Sequence, residues 1–380
     1  LNFSGNLVGS ANVTHANTTT TATVGNRLVV SGDNSGFTGT FTLNGGSGTR
    51  SMRLASATPG SAAATWNVNA ANILEIDGAS VQLGTLEGLG TVNASSGTGT
   101  INVGAGSFGG VLENGAGTLA LTKIGAGTLS LTGANTHTGA TNVNGGTLIL
   151  TAAQTGATPA TVADGATLGV RIASPGATLT LPSLTTGTTT GATLLFQTLG
   201  LGNPTAAMLN AGTFTPAAVT DIEITGTNLT AGTFPLISYT GAIGGGGFGN
   251  LTLSLPFRIS GNLIDNPNPI DVNITAIDTP KWKGNVNGNW DIDPDNTGSQ
   301  GTANWLTRVT NVATRYVQTP TLVDTVLFDD SADGTTDINL TTTLSPVGTL
   351  VSNDTKTYTF GGAGKLSGSG TLIKQGPGTL

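Results

Sequence analysis

The chain has 380 residues, with 59 Gly, about seventy Thr and no Cys, and only 9% of them are charged, against about 25% in an average globular domain. The lack of Cys excludes a disulfide framework, thiol chemistry and any Cys-based metal site, and a net charge of −7 without a Lys/Arg cluster argues against nucleic-acid binding. An apolar content of 37% is too high for disorder, yet no apolar run approaches the ~20 residues of a membrane-spanning helix.

Gly costs about 1 kcal/mol at an interior helical position and Thr loses side-chain freedom there, so the composition favours strands and turns. In chain order, the first patterned segment is LVVSGDNSGFTGTFTLNGG (28–46). It aligns with LSLTGANTHTGATNVNGG (129–146) after one insertion near Gly36, a repeat at about 100 residues. A third copy opens at KQGPGTL (374–380), matching KIGAGTL (123–129). Between them lie GTLEGLGTVNASSGTGTINVGAGSFGG (84–110), GAGTLALTKIGAGTLSLTG (115–133) and GATLGVRIASPGATLTLPSL (165–184). Each holds short runs with one apolar face and one Thr, Ser or Asn face, separated by Gly, Asn or Ala. These read as short strands joined by tight turns.

Two all-β arrangements fit. Asn-Gly turns at Asn44 and Asn144 would make hairpins. A parallel β-solenoid would instead stack one Leu, Val or Ile per run into a continuous core, and is preferred because a sandwich would need more than 5% aromatics. At roughly 20 to 25 residues per turn, the chain would make about fifteen turns and a rod of about 70 Å. Residues 1–190 form the solenoid with two repeat copies. Residues 191–278 keep strands at wider spacing, as a continuation or an insert, with one helical turn expected at NPTAAMLNAG (203–212). Residues 279–380 open with an irregular Trp-rich segment near 280–306 and return to strand alternation.

Chemistry-bearing residues are few. Asp291, Asp293 and Asp295 in DIDPDNTG offer hard oxygen ligands of the kind a Ca²⁺ loop uses. The EF-hand spacing fails there, with Asn296 and Thr302 at its Gly and Glu positions, and the alternative is a solvated turn stiffened by Pro294. Asp329, Asp330 and Asp333 form a second acidic turn and a second candidate set of metal ligands. Trp282, Trp290 and Trp305 could stack on sugar rings or plug an open solenoid end. His15 and His137 are the only histidines, and His137 reads as a surface packing residue in a turn. Arg50, Arg53 and Arg171 are scattered, with few acids near them in sequence. No Ser-His-Asp set, phosphate loop or dinucleotide fingerprint occurs, so no catalytic residue, cofactor site or enzyme is expected.

The stretch KIGAGTLSLTGANTHTGATNVNGGTL closely resembles the autotransporter-associated β-strand repeat, or passenger-associated transport repeat. The matching positions are Lys123, Gly125, Gly127, Thr128, Leu129, Leu131, Gly133, Asn135, Gly139, Thr141, Val143, Gly146, Thr147 and Leu148. It departs at His137, where the family usually has Tyr and the degenerate copy has Phe37. The segment from Trp282 through Gly288–Asp291, Ala303–Trp305, Val326–Asp330 and Tyr358–Leu380 is similar to one that recurs in large secreted proteins carrying these repeats. The resemblance implies a right-handed parallel β-helix, secreted or on the surface of a bacterium with an outer membrane, and defines no catalytic residue. The function so implied is a structural stalk or fibre unit, with an adhesin or glycan-binding module as the alternative and a polysaccharide-degrading enzyme as a remote one. Because 1–6 echoes the start of the repeat and 374–380 its opening, Leu1, Phe3, Thr379 and Leu380 are candidate assembly ends. The expected partner is then the chain itself, in tandem or in a filament, with surface glycans second.

Overall fold

A computed structural model describes residues 1–17, 27–45, 50–55 and 60–380. Alternation at the residue level becomes rungs at the fold level. In Thr128–Leu131, Leu129 and Leu131 are buried while Thr128 and Ser130 face outward, and the same inside-outside order recurs in Thr220–Gly226 and Leu179–Thr186. Each strand pairs in parallel with the strand one turn on, so identical positions stack about 4.8 Å apart.

Two walls carry the N-terminal turns. One stacks Asn2–Phe3, Arg27–Val30, Arg50–Leu54, Asn72–Asp77, Thr91–Ser96 and Val111–Asn114. The other stacks Val13–Asn17, Thr40–Gly45, Ser61–Val68, Ser80–Gly88 and Thr98–Phe108. Thr98–Phe108 rounds a corner, its first part pairing with Thr118–Lys123 and its last part with Thr128–Leu131. The ladder thus divides into two walls of one coil rather than closing into a barrel. From Leu129 to its neighbour Leu148 is 19 residues, from Leu148 to Leu168 is 20, and from Leu194 to Ile222 is 28. The wider spacing after residue 190 is therefore longer turns of the same coil.

The parallel coil ends where Gly232–Tyr239 pairs antiparallel with Ile270–Ile277, which pairs antiparallel with Ile259–Asp265. These strands cover the last edge and bury Phe234, Leu236, Ile270, Val272 and Ile274, which blunts an edge that would otherwise accept another strand. The helical turn expected at 203–212 does not form. Met208, Leu209 and Ala211 point into the core, and Leu209–Pro216 takes the open ladder position beside Leu179–Thr186, so tertiary pairing overrides local propensity. Among the described residues the helical element is one 3₁₀ turn, Gly247–Asn250.

A second coil follows with its own core. Pro280–Trp282, Thr325–Asp329, Gly348–Ser352 and Thr371–Gln375 stack in parallel, as do Asn289–Trp290, Asp337–Leu340 and Thr359–Gly361. A third short wall pairs Thr343–Leu344 with Lys365–Leu366. Trp305–Thr307 and Ala313–Thr314 add antiparallel strands beyond Pro280–Trp282. The two coils together make a β-solenoid of about fifteen turns, all but free of helix.

These turns do not lie in single file. Thr227 of the first coil meets Thr371 of the second, with hydroxyls 3.5 Å apart, and Ile373 packs beside Gly200. The second coil lies alongside the first, so the 70 Å rod expected from simple stacking is corrected to two adjacent files.

Candidate functional site

The repeat turn is built around a buried lysine. Lys123 ends the strand Thr118–Lys123 fully out of solvent, and its Nζ donates to the carbonyls of Ile124 at 2.7 Å and of Gly125 and Gly145 at 3.0 Å each. Burial lowers its pKa from the ordinary lysine value. Three carbonyl dipoles satisfy the three donors of an ammonium, and the Gly145 contact ties this turn to the next. Asn135, also buried, accepts Leu112 N–H at 2.8 Å on the preceding turn. In the degenerate copy Asn34 does the same for Leu7 N–H, again at 2.8 Å. Glycine is required beside both. A Cβ on Gly133 would lie 1.8 Å from the Gly110 carbonyl oxygen, and one on Gly32 would lie 2.0 Å from that of Gly5.

His137 is not at the surface, contrary to the sequence reading. It is fully buried, as is Phe37 at the matching place, because this position faces inward under the turn. Its Nε2 shares a 3.2 Å hydrogen bond with Thr141 Oγ1, which is 2.8 Å from Thr158 Oγ1. Burial depresses its pKa to about 4, partly opposed by a backbone contact at Leu112, so the ring is neutral near pH 7.

A charge cluster that the sequence does not reveal lies on the outer wall of the first coil. Arg27 Nη2 meets Glu75 Oε1 at 2.9 Å, Arg53 Nε meets Glu75 Oε2 at 3.1 Å, and Arg53 Nη1 is 3.6 Å from Asp77. Ser96 donates to Asp77 at 2.7 Å and, with the arginines and Ser95, lowers the Asp77 pKa against its partial desolvation. Arg53 and Glu75 are register neighbours on adjacent turns, a signal readable only once the turn length is known. Arg171, also treated as isolated, donates to its register neighbour Gln197 at 2.9 Å. The Arg50 side chain lies outside the described residues.

Trp282, Trp290 and Trp305 are 1%, 0% and 0% exposed, which corrects the expectation of a sugar-stacking platform. They pack with Tyr316, Phe328 and Tyr358 as the second coil's core, Trp282 edge-on to Trp305 at 4.9 Å and Trp290 to Tyr316 at 5.4 Å. Trp282 Nε1 donates to Thr335 O at 2.7 Å. Indoles whose faces are all occupied offer nothing to a ligand.

The carboxylates of the second acidic turn are bonded within the fold. Asp330 accepts the backbone N–H groups of Asp354, Thr355 and Lys356, which hold its pKa down at about 2. Asp329 accepts from Ser331, and Asp333 pairs with Lys283 at 3.2 Å. In the first acidic turn, Asp291 accepts Thr302 N–H and Oγ1–H at 2.6 Å each. Among the described residues no three acidic or histidine side chains converge as a metal site would require, so the three-aspartate expectation is corrected to at most a pair, Asp293 and Asp295.

At the candidate assembly ends, Leu1 is 83% and Leu380 43% exposed. Asn2 and Phe3 pair in register with Val29 and Val30, and Thr379 O accepts Tyr358 N–H at 3.0 Å. Lys374, the counterpart of Lys123, donates to the carbonyls of Gln375 and Gly376 at 2.7 Å each. No helix is long and apolar enough to cross a membrane among the described residues.

The Passenger-associated-transport-repeat family model matches residues 121–150, the turn that Lys123, Asn135 and His137 organise. A comparison with curated proteins returns no match. The chain is a β-solenoid repeat protein that carries the passenger-associated transport repeat of autotransporter-type β-helices.

Proposed function

We propose that the chain is a structural section of a cell-surface β-helix, exported by a bacterium with an outer membrane, and that it serves through length and stiffness rather than through chemistry. The supporting observation is how its charged and polar side chains are used: Lys123, Asn135, Glu75 and Asp330 all bond to neighbouring turns. In a solenoid, stability is a sum of such contacts between neighbours. Antibody labelling of intact cells tests the reading. Label bound before lysis is expected, and label seen only after lysis would sink it.

The finer reading is a stalk or fibre whose units stack end to end. It is supported by Lys374, which repeats two of the three bonds of Lys123. A parallel strand laid on Thr371–Gln375 would bring a third carbonyl, as Gly145 does for Lys123. Sedimentation of concentrated protein should then show end-to-end species that Leu372→Pro removes, since proline cannot donate to a ladder. A sedimentation coefficient constant across the accessible concentrations would contradict it.

A further inference from the structure

The loop 291–302 runs outside the aromatic core of the second coil and holds an unresolved charge. Asp293 is 2% exposed. Its Oδ2 accepts Gly298 N–H at 2.8 Å, while its Oδ1 is sealed from solvent with no hydrogen-bond partner. The exposed Asp295 presents its carboxyl within hydrogen-bonding reach of that of Asp293. Two carboxylates this close repel each other unless a proton or a cation lies between them. No cationic side chain comes within ion-pair distance of Asp291, Asp293 or Asp295 among the described residues. Arg315, which borders the loop at Gly298, gives its Nε to the Gly301 carbonyl at 3.1 Å.

A buried carboxylate oxygen with neither donor nor counter-charge is costly, and the fold offers it none. We propose that Asp293 Oδ1 and the Asp295 carboxylate are the two anionic ligands of a hard divalent cation of the Ca²⁺ class. Neutral oxygens complete the shell: the Thr297 hydroxyl lies 2.7 Å from Asp295 Oδ1 and 2.6 Å from Ser299 Oγ, and carbonyls and water supply the rest, since Ca²⁺ takes 6–8 oxygens at flexible geometry. Asp291 is left out because both its oxygens hold Thr302 in 2.6 Å bonds, whereas Asp295, whose Oδ1 accepts the N–H and hydroxyl of Thr297, has on Oδ2 only a 3.4 Å contact from Gln300. Two charges place the affinity at the weak, extracellular end of the Ca²⁺ range, about 10⁻⁴–10⁻³ M. The inference is independent of the cell-surface reading and holds or fails without it.

Terbium, a Ca²⁺ analogue excited through tryptophan, provides the test, because Trp290 lies three residues from Asp293. Titrating Tb³⁺ into the full chain should give saturable sensitised emission that Ca²⁺ displaces. Ca²⁺ should also raise the melting temperature over that measured with chelator. Asp293→Asn and Asp295→Asn should each lose the emission, while Asp330→Asn should keep it. Asp295 is exposed, so its variant remains informative if Asp293→Asn fails to fold. Emission retained in both loop variants would overturn the proposal, as would a native chain that shows neither emission nor a melting shift.

Discussion

At the residue scale, Lys123 and His137 carry the sharpest expectations. Lys123→Met removes a buried ammonium from three part-buried turn carbonyls, those of Ile124, Gly125 and Gly145, and with it the tie between two turns. A loss on the order of 3 kcal/mol is expected, read as a lower urea midpoint with an unchanged slope. Lys374→Met, at an exposed position making two such bonds, should change it by less than about 0.5 kcal/mol. For His137, the folded pKa of about 4 lies below the ordinary 6.5. Below pH 6.5 the unfolded chain takes up a proton that the folded chain refuses until about pH 4. Stability from this residue is therefore full above pH 6.5 and falls as pH drops from 6.5 to 4, by roughly 3 kcal/mol. His137→Phe, which copies Phe37, should flatten that part of the pH profile relative to the native chain, and an unchanged difference between the two across the window would contradict the assignment. The resemblance to the repeat places His137 where the family usually has Tyr but does not say which way the position points. That depends on how the turn bends, and the structure turns it inward.

At the element scale, the buried asparagine is the device shared by both repeat copies. Asn135→Ala leaves Leu112 N–H without that acceptor inside the core, and Asn34→Ala removes the acceptor of the part-buried Leu7 N–H. Each should cost about 1–3 kcal/mol. Because stability in stacked turns is largely local, amide exchange should accelerate first in the turns touching the altered residue, while an even acceleration along the chain would contradict that locality. Alternation, Gly-rich corners and the 28–46 and 129–146 match were legible in the sequence because each is a local pattern. The Arg27, Arg53, Glu75 and Asp77 cluster was not, because its members meet only across turns. Successive turns on that wall differ in length, 22 residues from Met52 to Leu74 and 18 from Leu74 to Val92, so no fixed period brings the charges together. The absent helix at 203–212 has the same origin, since a waiting ladder position is invisible to local propensity.

At the scale of the whole molecule, one buried ion pair joins the two coils. Arg258, just before the strand Ile259–Asp265, meets the fully buried Asp324 at 2.7 Å and donates to Thr314 and Arg315. The 2.7 Å approach of Nε to Oδ1 is off the hydrogen-bond axis, and the aligned bond is the 3.2 Å one from Nη2 to Oδ2. Burial pushes Asp324 up to about 6 against the pull of Arg258, so desolvation outweighs the attraction and the pair is not a strong net stabiliser. Removing one partner is worse than removing both, because it strands a buried charge. Arg258→Met should cost about 3–5 kcal/mol, while Arg258→Met with Asp324→Leu should recover most of that loss in thermal melts. A double variant as unstable as the single would refute the joint as described. Nothing in the sequence pairs residues 66 positions apart, so stacking arithmetic gives one file where the structure has two.

Parallel stacking in register is the claim on which all three scales depend, and a chain without cysteines allows it to be read directly. Thr167 and Arg171 sit opposite Thr193 and Gln197 on the next turn, at a strand spacing of about 4.8 Å that lies within the Cα range of disulfides. Mild oxidation should therefore close the double variants Thr167→Cys/Thr193→Cys and Arg171→Cys/Gln197→Cys. It should leave the crossed pairs Thr167→Cys/Gln197→Cys and Arg171→Cys/Thr193→Cys open, since these are separated by about 13 Å along the strand. Closure of the crossed pairs in place of the direct ones would mean antiparallel hairpins and would contradict the solenoid.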